Sequence, residues 1–276
     1  MTDKKDKIEK AVTEIASEQQ DHKGHEAVLV EQLCEGLARF KDQKLGTFLS
    51  SLSAGLEIGF SFMLVAIFHT FFSASYDSET VFFICAFAYP IGFILVVMGK
   101  SVLFTEQTSL LSLPVLHGKY GIQELLALWG VVIVGNLLGG FLISLFLLWI
   151  GPALGIISTS SIIAVAKHVA HYDLLTIFGS AVLAGWLMGL LSWSVSSVKS
   201  SSSQIILIYL ITLVIGLAGL HHSIVGSIEV FSGVLLTGDL QWSDYAGFEI
   251  TALTGNLIGG VVFVALLKYG AFAANV

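Results

Sequence analysis

One six-residue string occurs twice in this chain, as Gly135-Asn136-Leu137-Leu138-Gly139-Gly140 and as Gly255-Asn256-Leu257-Ile258-Gly259-Gly260, each inside a long apolar stretch. An internal duplication constrains the architecture before any single element does. If each copy belongs to a unit of three membrane helices, the odd number makes the second unit enter the bilayer upside down. In proteins built this way the ligand path lies at the interface between the two units.

Composition points to the same class. The chain is 55% hydrophobic and 12% charged, with a mean hydropathy of +0.86, well outside the usage of soluble domains. Its charges are unevenly spread: residues 1–44 hold eight of the 13 basic residues and ten of the 20 acids. With an overall acid excess there is no argument for a nucleic-acid partner. Cys34 lies in the polar head and Cys85 in an apolar segment, which suits neither a disulfide framework nor a zinc site. The polar start, Met-Thr-Asp-Lys-Lys-Asp, has no apolar core behind it and reads as no cleaved secretory signal.

A bilayer core of about 30 Å needs about 20 apolar residues per helix. Six windows meet this, at roughly 46–74, 81–113, 121–150, 174–196, 203–237 and 246–270. With the N-terminus inside, the inner segments hold the eight basic residues of the head plus Lys119, Lys199 and Lys268, against Lys167 alone outside. This bias places both termini in the cytoplasm. Residues 1–44 read as a cytoplasmic, partly helical extension, with Ala27-Val28-Leu29-Val30, Leu33, Leu37 and Phe40 forming a helix-period stripe. The channel domain is then 45–272.

The second and fifth windows are too long and are broken by polar and glycine residues. One break lies in Met98-Gly99-Lys100-Ser101-Val102-Leu103-Phe104-Thr105-Glu106-Gln107-Thr108, the other in Gly216-Leu217-Ala218-Gly219-Leu220-His221-His222-Ser223-Ile224-Val225-Gly226. Non-helical backbone at membrane depth is tolerated only where it is buried in protein or lines a water-filled cavity. Both breaks fall in the middle helix of their triplet, so half-helix N-termini would meet near the centre.

These residues resemble the formate/nitrite transporter family. Its second helix breaks at a Leu-Phe-Thr loop, as at Leu103-Phe104-Thr105. Its fifth breaks at a Gly-aromatic-Glu-His-Ser motif, partly matched by Gly219-Leu220-His221-His222-Ser223, and its third and sixth helices carry the Gly-Asn repeat. Glu106-Gln107-Thr108 and Gly226-Ser227-Ile228-Glu229 look most like the YfdC-like branch. Four positions depart from the family pattern: His221 and Val102 replace acids, Trp186 an asparagine and Ile215 a phenylalanine.

The resemblance implies an all-α, aquaporin-like protomer of six helices in an inverted 3+3 repeat, assembled as a homopentamer in a bacterial inner membrane. It implies a channel or transporter for small monovalent anions or their weak acids, of the formate, nitrite, acetate, lactate or hydrosulfide class, with protons taking part and no cofactor. By the same resemblance His222 is the central pore residue, flanked by His221, Thr105, Asn136 and Asn256. Tyr89 and Phe93 would form an inner pinch, and Leu103, Phe104 and Ile215 an outer one. Lys167 would draw anions into the outer vestibule. Lys100 is expensive at depth, and two readings apply to it: an ion pair with Glu57, Glu106 or Glu229, or direct attraction of anions. The rival reading, an aquaporin-like pore for neutral solutes, lacks the Asn-Pro-Ala half-helices. An enzyme would need a metal or nucleophile set, and neither His168-His171 nor His221-His222 has the companions for one.

Overall fold

The computed structural model describes residues 23–273; the first half of the expected N-terminal extension, residues 1–22, lies outside them. All regular elements among the described residues are helical. Helix α1 (His25–Lys41) precedes the bundle. The first triplet is α2 (Lys44–Phe72), a middle element made of α3 (Ser78–Ala86), α4 (Pro90–Met98) and α5 (Phe104–Leu116), and α6 (Ile122–Ala153). After α7 (Thr159–Ala170) comes the second triplet: α8 (Leu174–Ser197), the pair α9 (Ser201–Leu217) and α10 (Ser223–Leu236), and α11 (Trp242–Gly260). The last continues through one π-helical stretch, Val261–Leu266, into α12 (Leu267–Ala273).

Five of these stretches are long and apolar enough to cross a bilayer, and the apolar α9 and α10 are shorter. Local chemistry explains where the helices start. Asp77 caps α3 by accepting the Thr80 N–H at 2.9 Å, and Asp173 caps α8 through the N–H groups of Leu175 and Thr176, both at 3.0 Å. Pro90 opens α4, where its missing N–H costs nothing.

The duplicated string has a duplicated structural role. In α6, Gly139 lies against the Leu52 carbonyl of α2, where an added Cβ would stand 2.2 Å from it; in α11, Gly259 meets the Val182 carbonyl of α8 at the same 2.2 Å. Only glycine permits these backbones to approach so closely. Gly55 and Gly185 answer from the facing helices, touching the Asn136 and Asn256 carbonyls. The halves also interlock. Gly140 of the first half receives Ile228 of the second, and Gly260 of the second receives Thr108 of the first. The arrangement fits the 3+3 repeat expected from the sequence.

One local expectation changes. The segment between the third and fourth windows reads as loop, yet it holds α7, an amphipathic helix capped by Ser158 and burying Ile162 and Val165 against the bundle. Helix α1 packs on α5 and α8, with Val28 and Leu29 buried and Gln32 donating to the Ser192 carbonyl at 3.2 Å and to Ser196 Oγ at 2.6 Å.

Candidate functional site

The two breaks have the same construction. Helix α4 ends in a Schellman motif, in which Ser101 N–H donates to Val96 O (3.0 Å) and Lys100 N–H to Val97 O (3.2 Å). Helix α9 ends identically, with Leu220 N–H on Ile215 O (3.0 Å) and Gly219 N–H on Gly216 O (3.2 Å). Such a turn demands a left-handed residue. The second break supplies Gly219 (φ 58°), whereas the first uses Lys100 (φ 60°).

Each break is then pinned by the asparagine of the repeat. Asn136 Oδ1 accepts the Phe104 N–H at 2.8 Å, while its Nδ2 donates to Ser51 O (2.7 Å) and Val102 O (2.9 Å). Asn256 Oδ1 accepts the Ser223 N–H at 2.8 Å, and its Nδ2 donates to Ala181 O (2.8 Å) and His221 O (3.0 Å). Both side chains are fully buried and engaged on backbone. The expectation of pore asparagines is therefore corrected: they hold the loops and offer no group to a ligand.

The clamps bring Thr105 and His222 together, Thr105 Oγ1 lying 2.6 Å from His222 Nε2. His222 also caps α10, its Nδ1 accepting the Val225 N–H at 3.3 Å. That bond assigns the neutral ring's proton to Nε2, which faces Thr105. Phe93 packs edge-on against the His222 ring at 5.0 Å, and Tyr89 lies 5.3 Å from Phe93.

On the α7 side of this junction lies a chamber of about 80 Å³, room for a few waters or one small molecule. His221, His222, Tyr89, Ile215, His168 and Glu229 are among the residues lining it. Tyr89 and Ile215 thus share one chamber and do not form opposite pinches, because Gly216 lets α9 approach Tyr89 closely, an added Cβ there meeting Tyr89 Cβ at 3.2 Å. Leu103 and Phe104 are fully buried and do not line it; the Phe104 ring turns to Trp129 of α6, 6.2 Å away. His221 is directed elsewhere from His222, its Nε2 on Val169 O at 3.1 Å and its Nδ1 on Ser180 Oγ at 2.8 Å.

Neither lysine sits as expected. Lys100 is exposed on the α1 side, beside a small cavity also lined by Gln32, Glu35, Arg39 and Glu106. Among the described residues no salt bridge joins it to Glu57, Glu106 or Glu229. Glu57 is held instead by Ser53 (2.7 Å) and Ser101 (3.0 Å). Lys167 stands on α7 and not in a loop, and it is paired with Asp239. This contact holds the Asp239 carboxyl below its usual range. Paired in this way, Lys167 presents a dipole more than a free positive charge.

Sequence reasoning treated Glu229 only as a partner for Lys100. Its signal was its spacing: His222, Gly226 and Glu229 follow at i, i+4 and i+7, one face of a helix, and all three line the chamber.

A family model described as formate/nitrite transporter matches residues 26–270. The inner membrane protein YfdC of Escherichia coli is 28% identical over 238 residues, covering 85% of this chain and 74% of that protein. Among solved structures, an FNT family ion channel superposes with a TM-score of 0.79 at 22% identity, covering 88% of this chain and 98% of that one. A pentameric formate channel with formate bound gives 0.68 at 23% identity, covering 83% and 98%. The aquaporin-like rival finds no support in these matches, and the structure, with its broken helices and paired asparagine clamps, carries the family's fold. This multi-pass membrane chain belongs to the formate/nitrite transporter family.

Proposed function

We propose that the chain is a pore for small monovalent anions or their weak acids, formate, nitrite, acetate, lactate and hydrosulfide being the chemical class. Five copies assemble in a bacterial inner membrane, with one pore per protomer and both termini in the cytoplasm, so that α7 lies outside. The observation that carries the reading is the Thr105–His222 contact at the meeting point of two half-helices. A bare anion entering this apolar neck loses its hydration. Two N-terminal dipole ends and the Thr105 hydroxyl, whose oxygen accepts the His222 Nε2–H, offer it favourable contacts in return. Phe93 packs edge-on against His222 beside this contact.

Support for the substrate class comes from family membership and from the formate-bound neighbour; support for the pentamer comes from the same neighbour, and for the inner membrane from YfdC. Exposed apolar side chains such as Leu142, Leu145, Phe146 and Trp149 on α6 suit lipid or neighbouring protomers. The test is a flux panel in proteoliposomes. Formate, nitrite, acetate, lactate and hydrosulfide are expected to pass faster than glycerol, and selective passage of glycerol would overturn the reading.

A further inference from the structure

The α7-side chamber contains a carboxyl group that nothing in the fold explains. Glu229, on α10, is 5% exposed and lines the cavity. Among the described residues no hydrogen bond or ion pair engages its carboxyl. The titratable groups sharing the chamber come from every element around it: Cys85 from α3, Tyr89 at the start of α4, His168 from α7, Tyr172 from the α7–α8 turn, and His221 and His222 from the second break. Helix α2 contributes Val65. No lysine or arginine is present in the lining.

The imidazoles around it are already engaged. His222 Nδ1 accepts the Val225 N–H, which keeps that ring neutral, and both nitrogens of His221 are occupied, Nε2 by the Val169 carbonyl and Nδ1 by Ser180 Oγ. On α7, outside the membrane-spanning segments, burial and the neighbouring imidazoles push His168 down to about 4, so it is neutral at physiological pH. An ionised Glu229 and a bare anion would therefore stand together in a poorly hydrated cavity with nothing between them, an arrangement that like-charge repulsion excludes. A protonated Glu229 has the opposite effect, since its O–H can donate to an anion oxygen.

We propose that Glu229 is a specificity-determining residue that admits a monovalent anion to this chamber only together with one proton. The proton arrives on the permeant acid, or it is handed from the Glu229 carboxyl to the anion oxygen in the chamber, the carboxylate being reprotonated from the side of entry. The proton and the anion leave together, so each passage moves no net charge. This inference rests on the anion-pore reading above and adds to it the residue that makes each anion enter with a proton.

The test uses purified full-length protein in proteoliposomes, with labelled formate and nitrite as probes. Transmembrane potential and pH gradient are imposed separately. Wild-type accumulation is expected to follow the pH gradient and to ignore the potential. Glu229→Gln keeps a donor of similar shape and loses the titratable charge. Its accumulation is expected to become potential-driven, approaching about tenfold per 59 mV for a single charge, with flux at pH 8 several-fold above wild type. Glu229→Asp is expected to restore the wild-type pattern, which a purely structural role would not require. Potential-driven accumulation by the wild type would overturn the proposal even if the variants fail to assemble, and so would a Gln variant that stays electroneutral. Wild-type protein that moves neither probe under any gradient would instead refute the anion reading, and this inference with it.

Discussion

Asn256→Asp puts the clamp to a test at almost constant volume. The aspartate keeps an oxygen for the Ser223 N–H but replaces the amide donor with a second oxygen, which faces the Ala181 and His221 carbonyls now accepting bonds at 2.8 and 3.0 Å. Side-chain hydrogen bonds inside membrane proteins average about 0.6 kcal/mol and reach about 1.7 kcal/mol. Two lost bonds therefore cost about 1–3 kcal/mol. Two stranded carbonyls in a fully buried site, with a carboxylate or carboxyl pressed on them, add the penalty of unsatisfied acceptors, about 1–3 kcal/mol each. A total of about 3–9 kcal/mol is expected, and Asn136→Asp should lose a similar amount because its bonds to Phe104, Ser51 and Val102 are the same set. Detergent-titrated unfolding of the purified protein, followed by circular dichroism, measures the loss. A cost below about 1 kcal/mol for either variant, or costs differing by more than about 3 kcal/mol between them, would refute the shared role assigned to the clamps.

Three further outcomes follow from the geometry. His222→Asn should keep α10 capped, because asparagine is a good N-cap acceptor, yet lower anion flux at least tenfold; a folded variant with wild-type flux in proteoliposomes would remove His222 from the pathway. Lys100→Gly should raise stability by about 1 kcal/mol by relieving a left-handed backbone at a residue that pairs with no acid among the described residues, whereas a loss in the same unfolding assay would show that the side chain is held. Asp173 is a cap whose carboxyl is held below its usual range by bonds from the Thr176 side chain and backbone. A lowered folded value means its contribution is present above the unfolded value and lost as pH falls through the folded one. Asp173→Ala should therefore lower the midpoint of unfolding at pH 7 and hardly change it at pH 2–3; an equal effect at both pH values would count against the cap.

The features legible in the sequence were those encoded locally or by duplication. Glycine and polar residues interrupting an apolar window marked both breaks, and the repeated Gly-Asn string marked the close-packed helix pairs, because a helix pair that meets backbone to backbone can use little else. What was not legible depended on which face of a helix turns where. The partner of Lys167 lies 72 residues away, in the loop between α10 and α11, so nothing near the lysine announces it. Tyr89 and Ile215 share a chamber because Gly216 lets two helices approach, a tertiary effect with no periodic signature. The asparagines were visible as unusual residues in apolar helices, yet their engagement on backbone, and hence their absence from the ligand path, depends on loops folded about 30 residues away. Helix α7 was missed because its charged end resembles a solvated loop, although Ser158 and the apolar spacing of Ile162 and Val165 were present in its sequence.

The interlock between the halves has a consequence for biogenesis. Each clamp is internal to its own half: Asn136 binds α2 and the first break, and Asn256 binds α8 and the second. A half emerging from the ribosome can therefore complete its own break as soon as its third helix is inserted. The contacts that cross over, Ile228 into Gly140, Thr108 against Gly260 and Thr105 to His222, must wait for the whole chain. Assembly is thus ordered as two prefabricated parts and a late docking step, and the conducting centre exists only after that step. A nascent chain stalled in the membrane between the halves would carry a finished first break and no pore, a built-in safeguard against leakage during synthesis.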